Sequence, residues 1–156
     1  MNTLVAYFSA SGNTARLAKT LAAAAGAALY EIRPAVPYER RDLNWMNKKS
    51  RTTLEMQDKA CRPALADTDA PVGDAERIYL GFPIWWYREP SIIDSFLEAY
   101  DFSGKTIVPF FTSGGSPLGE GQGRIVELSR GAKVLSGRRF TARAGEEDLK
   151  AWIETL

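Results

Sequence analysis

Short apolar runs that alternate with helical patterns constrain this chain more than any other feature of its sequence. Five runs have the length and composition of buried strands, at residues 3–8, 28–33, 77–82, 105–111 and 132–135. After the first run, apolar residues from Thr14 to Ala25 recur at helical spacing until Gly26 ends the pattern. Alternating strands and helices form a parallel sheet covered on both faces. We therefore predict an α/β fold in which a doubly wound, five-stranded parallel sheet lies between two helix layers.

Further helices are predicted at residues 92–100, 125–128 and 149–156. Ser91 is a suitable cap for the first of these.

Two places fit the predicted fold less simply. Pro109 lies inside the fourth strand, where it removes a ladder hydrogen bond, so we expect a bulge or local break there. The segment from Pro34 to Asp74 has to contain a crossover helix, yet its apolar residues show no clean period. Long irregular connections of this kind are often functional.

Length and composition indicate one ordinary globular domain. The 156 residues suit a single domain spanning 1–156, and the 45% apolar and 25% charged residues are typical of proteins that fold alone in water. The longest apolar stretches, residues 4–8 and 21–29, are too short to cross a bilayer, and no basic segment precedes them. We expect no membrane association and a cytoplasmic location.

Missing and scarce residue types exclude several classes of function. The chain has no histidine, which excludes Ser-His-Asp and Cys-His catalysis and removes the commonest zinc ligand, so no metal site is expected. The single cysteine, Cys61, cannot form an internal disulfide and is interpreted as an unreactive thiol. A net charge of +1 gives no reason to expect nucleic acid as a partner. Lys48, Lys49 and Arg51 are interpreted as solvated loop charges.

Ligands of an open α/β sheet bind beyond the carboxyl ends of the strands, where the strand order reverses. Three segments leave strands at that edge. The first combines the side chains of Ser9, Ser11, Asn13 and Thr14 with Gly12 and leads into a helix N-terminus. Free N–H groups, hydroxyls and an amide suit a phosphate held without Lys or Arg. An ordinary capped turn remains the alternative, and a Walker loop is excluded because no Gly-Lys-Ser/Thr follows.

Aromatic side chains dominate the second segment, which follows the third strand. It consists of Pro83, Ile84, Trp85, Trp86 and Tyr87. Exposed aromatic rings are costly in water and provide flat faces for stacking on a planar ligand. We expect one of the two tryptophans to fold back onto the core, because burial of both together with the tyrosine is uncommon.

Glycines mark the third segment, which follows the fourth strand. It begins with Thr112, Ser113, Gly114 and Gly115. A Gly-Gly pair lets the backbone approach the edge of a flat ring and offer N–H groups to its carbonyls. A flexible loop is the alternative.

A phosphate loop, an aromatic loop and a glycine loop at one sheet edge describe a phosphorylated planar cofactor. The chain resembles the flavodoxins, in particular bacterial flavodoxin-like proteins, over the stretches 7–14, 44–56, 81–86 and 112–116. The resemblance implies a flavodoxin-like fold that binds flavin mononucleotide (FMN) at the switch point between the first and third strands, a placement known for flavodoxin itself. It implies that residues 9 and 11–14 bind the phosphate, 83–87 form one wall of the isoalloxazine site, and 112–115 face its pyrimidine edge.

The resemblance leaves two forms of redox function open. The protein is either a carrier between redox partner proteins or an NAD(P)H-dependent reductase of a small acceptor such as a quinone. Known flavodoxin carriers are strongly acidic, whereas this chain is nearly neutral. Tyr87 stands where relatives often have glycine, and a bulky residue hinders the backbone turn that stabilises a half-reduced flavin. Lys48, Lys49, Arg51 and Arg88 are candidates to contact an anionic cosubstrate, although solvated surface charge is the simpler role for each.

Two alternatives carry no flavin. A phosphoacceptor receiver shares the fold but needs acids where Ser9 and Pro83 stand, which argues against it. A flavin-free binding module remains open.

Overall fold

The computed structural model describes all 156 residues. The strands are β1 (Thr3–Tyr7), β2 (Ala28–Glu31), β3 (Arg77–Pro83), β4 (Thr106–Thr112), β5 (Lys133–Val134) and β6 (Arg138–Phe140). The α-helices are α1 (Asn13–Ala25), α2 (Arg51–Gln57), α3 (Ser91–Ala99), α4 (Gly121–Leu128) and α5 (Glu146–Glu154). A short 3₁₀-helix covers Arg40–Leu43. No helix is both long and apolar enough to cross a membrane.

All neighbouring strands are parallel, in the order β2-β1-β3-β4-β5, and β6 continues the last position beside β4. The five-stranded, doubly wound sheet is therefore confirmed, with its last strand in two pieces. Successive residues of a strand face opposite sides. Leu4 and Phe8 of the first strand region belong to the core under α3 and α4, whereas Val5 and Tyr7 belong to the core under α1 and α5. Strand order reverses between β1 and β3, so their carboxyl ends flank the expected ligand position.

Pro109 lies inside β4, in register with β3, without ending the strand. The carbonyl of Ile107 accepts the N–H of Leu135 at 2.9 Å. Backbone groups two residues apart on a strand point to the same neighbouring strand, so the backbone nitrogen of Pro109, which carries no hydrogen, also faces the strand that contains Leu135. That neighbour is interrupted between β5 and β6, and Gly137 packs against the proline there. The Gln122 side chain bridges the interruption by donating to Leu135 O at 3.0 Å and accepting the Gly137 N–H at 2.9 Å. The predicted bulge or break in the fourth strand is therefore wrong, because the interruption lies in the neighbouring strand.

Two further local predictions need correction, and a third is confirmed. The run 132–135 is only the first part of the last strand, because the interruption beside Pro109 separates it from β6. Ser91 does not cap α3: Pro90 occupies the cap position and Ser91 is the first helical residue. The connection from β2 to β3 contains a helix, as required, but α2 has only seven residues, which is why no helical period was visible in its sequence.

Candidate functional site

The N-terminus of α1 lies at the strand-order switch point and is not capped by any side chain. Gly12 precedes the helix with a φ of 95°, in the left-handed region that glycine adopts without strain. The N–H groups of residues 13–15 have no acceptor within the protein, and the first turn carries no acidic side chain. Free N–H groups at the positive end of a helix form a site for an anion.

The side chains of this loop divide into two roles. The Ser11 hydroxyl and the Asn13 amide are exposed, and neither makes a hydrogen bond within the protein. The Ser9 hydroxyl accepts the N–H of Gly12 at 3.1 Å and thereby shapes the turn. Thr14 is buried, and its hydroxyl bonds that of Thr112 at 2.8 Å. Thr14 and Thr112 therefore join the first and third segments. Ser11 and Asn13 are free side-chain donors, and the Ser9 hydroxyl, which only accepts, also keeps its own O–H free to donate.

The aromatic segment forms a tight two-residue hairpin turn after β3. The N–H of Trp85 donates to Arg88 O at 3.1 Å, and the N–H of Arg88 donates to Trp85 O at 3.2 Å. The two central residues, Trp86 and Tyr87, have φ angles of 49° and 62°. A type I′ turn needs positive φ at both positions and usually places Asn or Gly there. Left-handed backbone costs a bulky residue about 1–2 kcal/mol, so this turn is strained.

Contacts on both sides of the strained turn hold it in place. Ile84 donates its N–H to Thr112 O at 3.0 Å. The carbonyl of Tyr87 packs against Gly119, where a Cβ would lie 2.6 Å from the oxygen. Gly119 also has a φ of 60°, so only glycine fits there without strain.

The two tryptophans have different environments. Trp85 packs edge-on against Phe8 and Tyr38, with ring centroids 5.5 and 5.4 Å apart. Trp86 is 39% exposed and Tyr87 is 66% exposed. The prediction that one tryptophan folds onto the core is therefore confirmed, and Trp86 remains available to a ligand.

Arg88, directly after the turn, is buried, which contradicts its interpretation as a solvated charge. Its guanidinium donates to Met56 O and to the Ser91 hydroxyl, both at 3.3 Å, and to Asp94 at 3.4 Å. Arg124 of α4 donates to Glu89 at 2.9 Å and to Asp94 at 2.6 Å. This buried ion cluster links the aromatic turn to α2, α3 and α4.

Glu89 and Asp94 leave one oxygen each without a donor inside the cluster, Oε1 of Glu89 and Oδ1 of Asp94. Burial, and then the neighbouring carboxyl of Asp94, raise the pKa of Glu89 to about 8. A proton on Glu89 that is shared with Asp94 would satisfy both oxygens. The two oxygens without donors and the raised pKa both favour a proton on Glu89.

The glycine segment is braced from the last strand. Arg139 of β6 donates to the carbonyl and hydroxyl oxygens of Ser113 at 3.1 and 3.2 Å. The Ser113 hydroxyl donates to Ser116 O at 2.7 Å, while Gly114 and Gly115 are exposed. The two glycines are thus held at the sheet edge without side chains to block a ring edge.

A cavity of about 220 Å³ lies between the first and second segments. Its lining is Ala10, Ser11, Leu43, Trp45, Thr52, Pro83, Trp85 and Trp86. The third segment does not line it. Leu43, Trp45 and Thr52 come from the irregular connection before β3 and were not predicted as site residues. The sequence signals for this connection were its length and the family resemblance over residues 44–56, which contain Trp45 and Thr52.

A larger cavity, about 390 Å³, opens on the opposite side of Phe8 and Tyr38, beside the end of β2. It contains Ser9 but no residue of the aromatic turn. The smaller cavity is therefore the one that combines the phosphate loop with the aromatic wall.

Comparison with known proteins agrees with this geometry. The sequence model of the flavodoxin family matches residues 2–156. The chain belongs to the flavodoxin family. It is 42% identical to a candidate flavoprotein from Bacteroides eggerthii, covering 99% of this chain and 96% of that one with a TM-score of 0.92. A candidate flavoprotein from Bacteroides uniformis is 44% identical, covering 98% and 97%, also with a TM-score of 0.92.

A more distant structure has the same fold. The flavoprotein from Lactobacillus acidophilus, solved in complex with FMN, is 20% identical, covers 97% of this flavodoxin and 98% of its own chain, and has a TM-score of 0.72. Among curated protein sequences, none matches this chain.

Proposed function

We propose that this flavodoxin binds one FMN at the switch point between β1 and β3 and transfers electrons through it. The observation that carries the proposal is the uncapped N-terminus of α1, whose free N–H groups follow a left-handed glycine at the switch point. The FMN complex of the Lactobacillus acidophilus protein, which shares the fold, supports the choice of ligand. Bound FMN supplies a ring system that accepts and releases one or two electrons.

Each segment has a distinct part in holding the cofactor. The N–H groups at residues 13–15, with the Ser11 hydroxyl and the Asn13 amide, bind the phosphate as neutral donors. Trp86 offers its exposed ring as a wall for the isoalloxazine. Gly114 and Gly115 let the backbone approach the polar edge of the ring. Trp85 and Thr112 act indirectly, because their side chains pack or bond within the protein.

Within this function, the aromatic turn favours an enzyme that reduces a small acceptor over a one-electron carrier. Turning the peptide between Trp86 and Tyr87 converts a type I′ turn into type II′, which requires glycine at the first central position. Trp86 occupies that position. The obstacle to the turn that stabilises a half-reduced flavin is therefore Trp86 rather than Tyr87. The net charge of +1 also provides little long-range attraction for a protein partner.

Two measurements on the FMN-loaded protein test these alternatives. Stepwise anaerobic reduction should produce little of the long-wavelength band of the half-reduced flavin, and NADH or NADPH should be oxidised in the presence of a quinone. A large long-wavelength band, together with rapid reduction by a reductase protein and no oxidation of either nicotinamide donor, would instead establish the carrier function.

A further inference from the structure

Trp45 is kept exposed by a segment that is itself held by hydrogen bonds. Its side chain is 70% exposed, although burial of so large an aromatic side chain stabilises a fold. The Thr52 hydroxyl donates to Asp42 O at 2.7 Å, and the Thr53 hydroxyl donates to Asn47 O at 2.9 Å. The exposure of Trp45 is therefore not that of an unsupported loop. A large apolar ring fixed in this way marks a place where a ligand or a partner binds.

The Arg51 side chain connects the 43–52 segment to the cavity of about 220 Å³ beside the phosphate loop. Its guanidinium pairs with Glu55 at 3.1 Å and lies over the ring of Tyr38, 3.8 Å from the centroid. The Tyr38 ring packs edge-on against Trp85, which lines the cavity. The segment is thus already in place beside the cavity, so a ligand that binds there does not have to order it.

Most of the cavity lining offers a ligand no polar side chain. Ser11 belongs to the phosphate loop, and the hydroxyl of Thr52 already donates to Asp42 O. The other lining residues are aliphatic or aromatic, namely Ala10, Leu43, Trp45, Pro83, Trp85 and Trp86. These surfaces suit the isoalloxazine ring of FMN better than its ribityl chain, because the hydroxyls of that chain need hydrogen-bond partners.

The position of the glycine segment indicates which end of the ring the cavity fits. One end of the isoalloxazine carries carbonyls, and the other is an apolar dimethylbenzene ring. In the function proposed above, Gly114 and Gly115 lie at the polar edge, and no residue of their segment lines the cavity. The cavity therefore matches the apolar end. Pockets for complete drug-sized ligands have volumes of roughly 300–1,000 Å³, so about 220 Å³ suits one part of the cofactor.

We propose that Trp45 packs against the dimethylbenzene end of the isoalloxazine, so that the 43–52 segment forms a further wall of the FMN site. The inference rests on the function proposed above and adds to its site a residue from outside the phosphate, aromatic and glycine segments. Trp45 loses its exposure to water when FMN binds, and its ring contributes to affinity as an aromatic side chain does in contact with a planar base.

Flavin titrations of the FMN-free protein test this wall without any turnover. The wild-type protein is compared with Trp45→Ala and with Trp45→Phe, which keeps an aromatic ring. Met46→Ala is the matched control, because Met46 is the next residue, is 73% exposed and does not line the cavity. Each protein is titrated with FMN and with an FMN analogue that lacks both ring methyl groups. Urea unfolding of each FMN-free protein measures whether the fold is retained.

We expect Trp45→Ala to weaken FMN about tenfold or more, as for loss of one stacking aromatic, and Trp45→Phe to recover most of that loss. Removing the methyl groups should weaken binding to the wild-type protein and much less to Trp45→Ala, because the effects of groups in contact are not additive. Met46→Ala should bind both flavins as the wild type does, and all variants should unfold at the wild-type urea concentration.

Three results would overturn the inference: Trp45→Ala binds FMN as tightly as the wild type, the methyl groups contribute equally in both proteins, or Met46→Ala loses as much affinity as Trp45→Ala. Failure of the wild-type protein to bind FMN would instead refute the proposed function, and this inference with it.

Discussion

Replacing Glu89 with glutamine should remove a pH dependence from the stability of this protein. Glu89 is fully buried and faces Arg88, Asp94 and Arg124, and Gly121 at the start of α4 leaves room for its Oε1. One oxygen of Glu89 and one of Asp94 lack donors unless a proton lies on Glu89. Glutamine keeps the shape and carries an N–H that can donate to Asp94, but it cannot ionise.

The sign and size of the effect follow from proton linkage. Burial raises the pKa of Glu89 from 4.5 to about 8, so between these values the folded protein holds a proton that the unfolded chain has released. The stability contributed by the neutral acid is complete below pH 4.5 and is lost as pH rises through 8. The full loss is on the order of 5 kcal/mol. Wild-type stability should therefore fall between pH 5.5 and 8.5, whereas Glu89→Gln should lack this fall.

Urea unfolding of the FMN-free protein, followed by tryptophan fluorescence at pH 5.5, 7 and 8.5, measures the difference directly. Glu127→Gln is the control, because Glu127 is exposed on α4 and forms no ion pair, and it should retain the wild-type pH profile. The reasoning is refuted if wild-type and Glu89→Gln stabilities change in parallel with pH. It is also refuted if the glutamine variant is much less stable at pH 8.5, since Glu89 would then act as an ionised partner of Arg124.

Four further substitutions test the site and the sheet beneath it. Trp86→Gly should relieve about 1 kcal/mol of left-handed strain and increase the long-wavelength band of the half-reduced flavin, because a type II′ turn needs glycine at the first central position; an unchanged band would show that Trp86 does not restrict the turn. Trp86→Ala should restore flavin fluorescence and weaken FMN binding by roughly 1–3 kcal/mol. Trp85→Ala should mainly lower the free energy of unfolding. The opposite result for the two variants would show that Trp85, and not Trp86, contacts the flavin. Gly81→Ala should destabilise the fold by about 1–3 kcal/mol in urea titrations, because the new Cβ would lie 2.3 Å from the Phe110 ring; unchanged stability would contradict that packing.

The sheet and its ligand edge could be predicted because local patterns determine them. Buried strands and amphipathic helices have distinct periods, and parallel topology then brings the segments after β1, β3 and β4 to one edge. The position of residues 9–14 and 83–87 at that edge could be predicted for the same reason.

Contacts between distant segments could not be predicted. Arg88 is buried because Asp94 and the carbonyl of Met56 accept its hydrogen bonds, and nothing beside Arg88 in the sequence identifies these partners. Thr14 bonds Thr112 across 98 residues, so a residue predicted as a phosphate donor also joins two distant segments. Trp45 lies in a segment without a helical or strand period, so its place in the cavity follows only from the tertiary fold.

The phosphate site at the N-terminus of α1 is the central claim, and paired titrations of the FMN-free protein with FMN and with riboflavin test it most directly. The two ligands differ only in the phosphate. Flavin fluorescence should show one FMN bound per chain and riboflavin at least about a hundredfold weaker, equivalent to losing two charge-assisted hydrogen bonds. Equal affinity for the two ligands would contradict the assignment of residues 9–14 as a phosphate site.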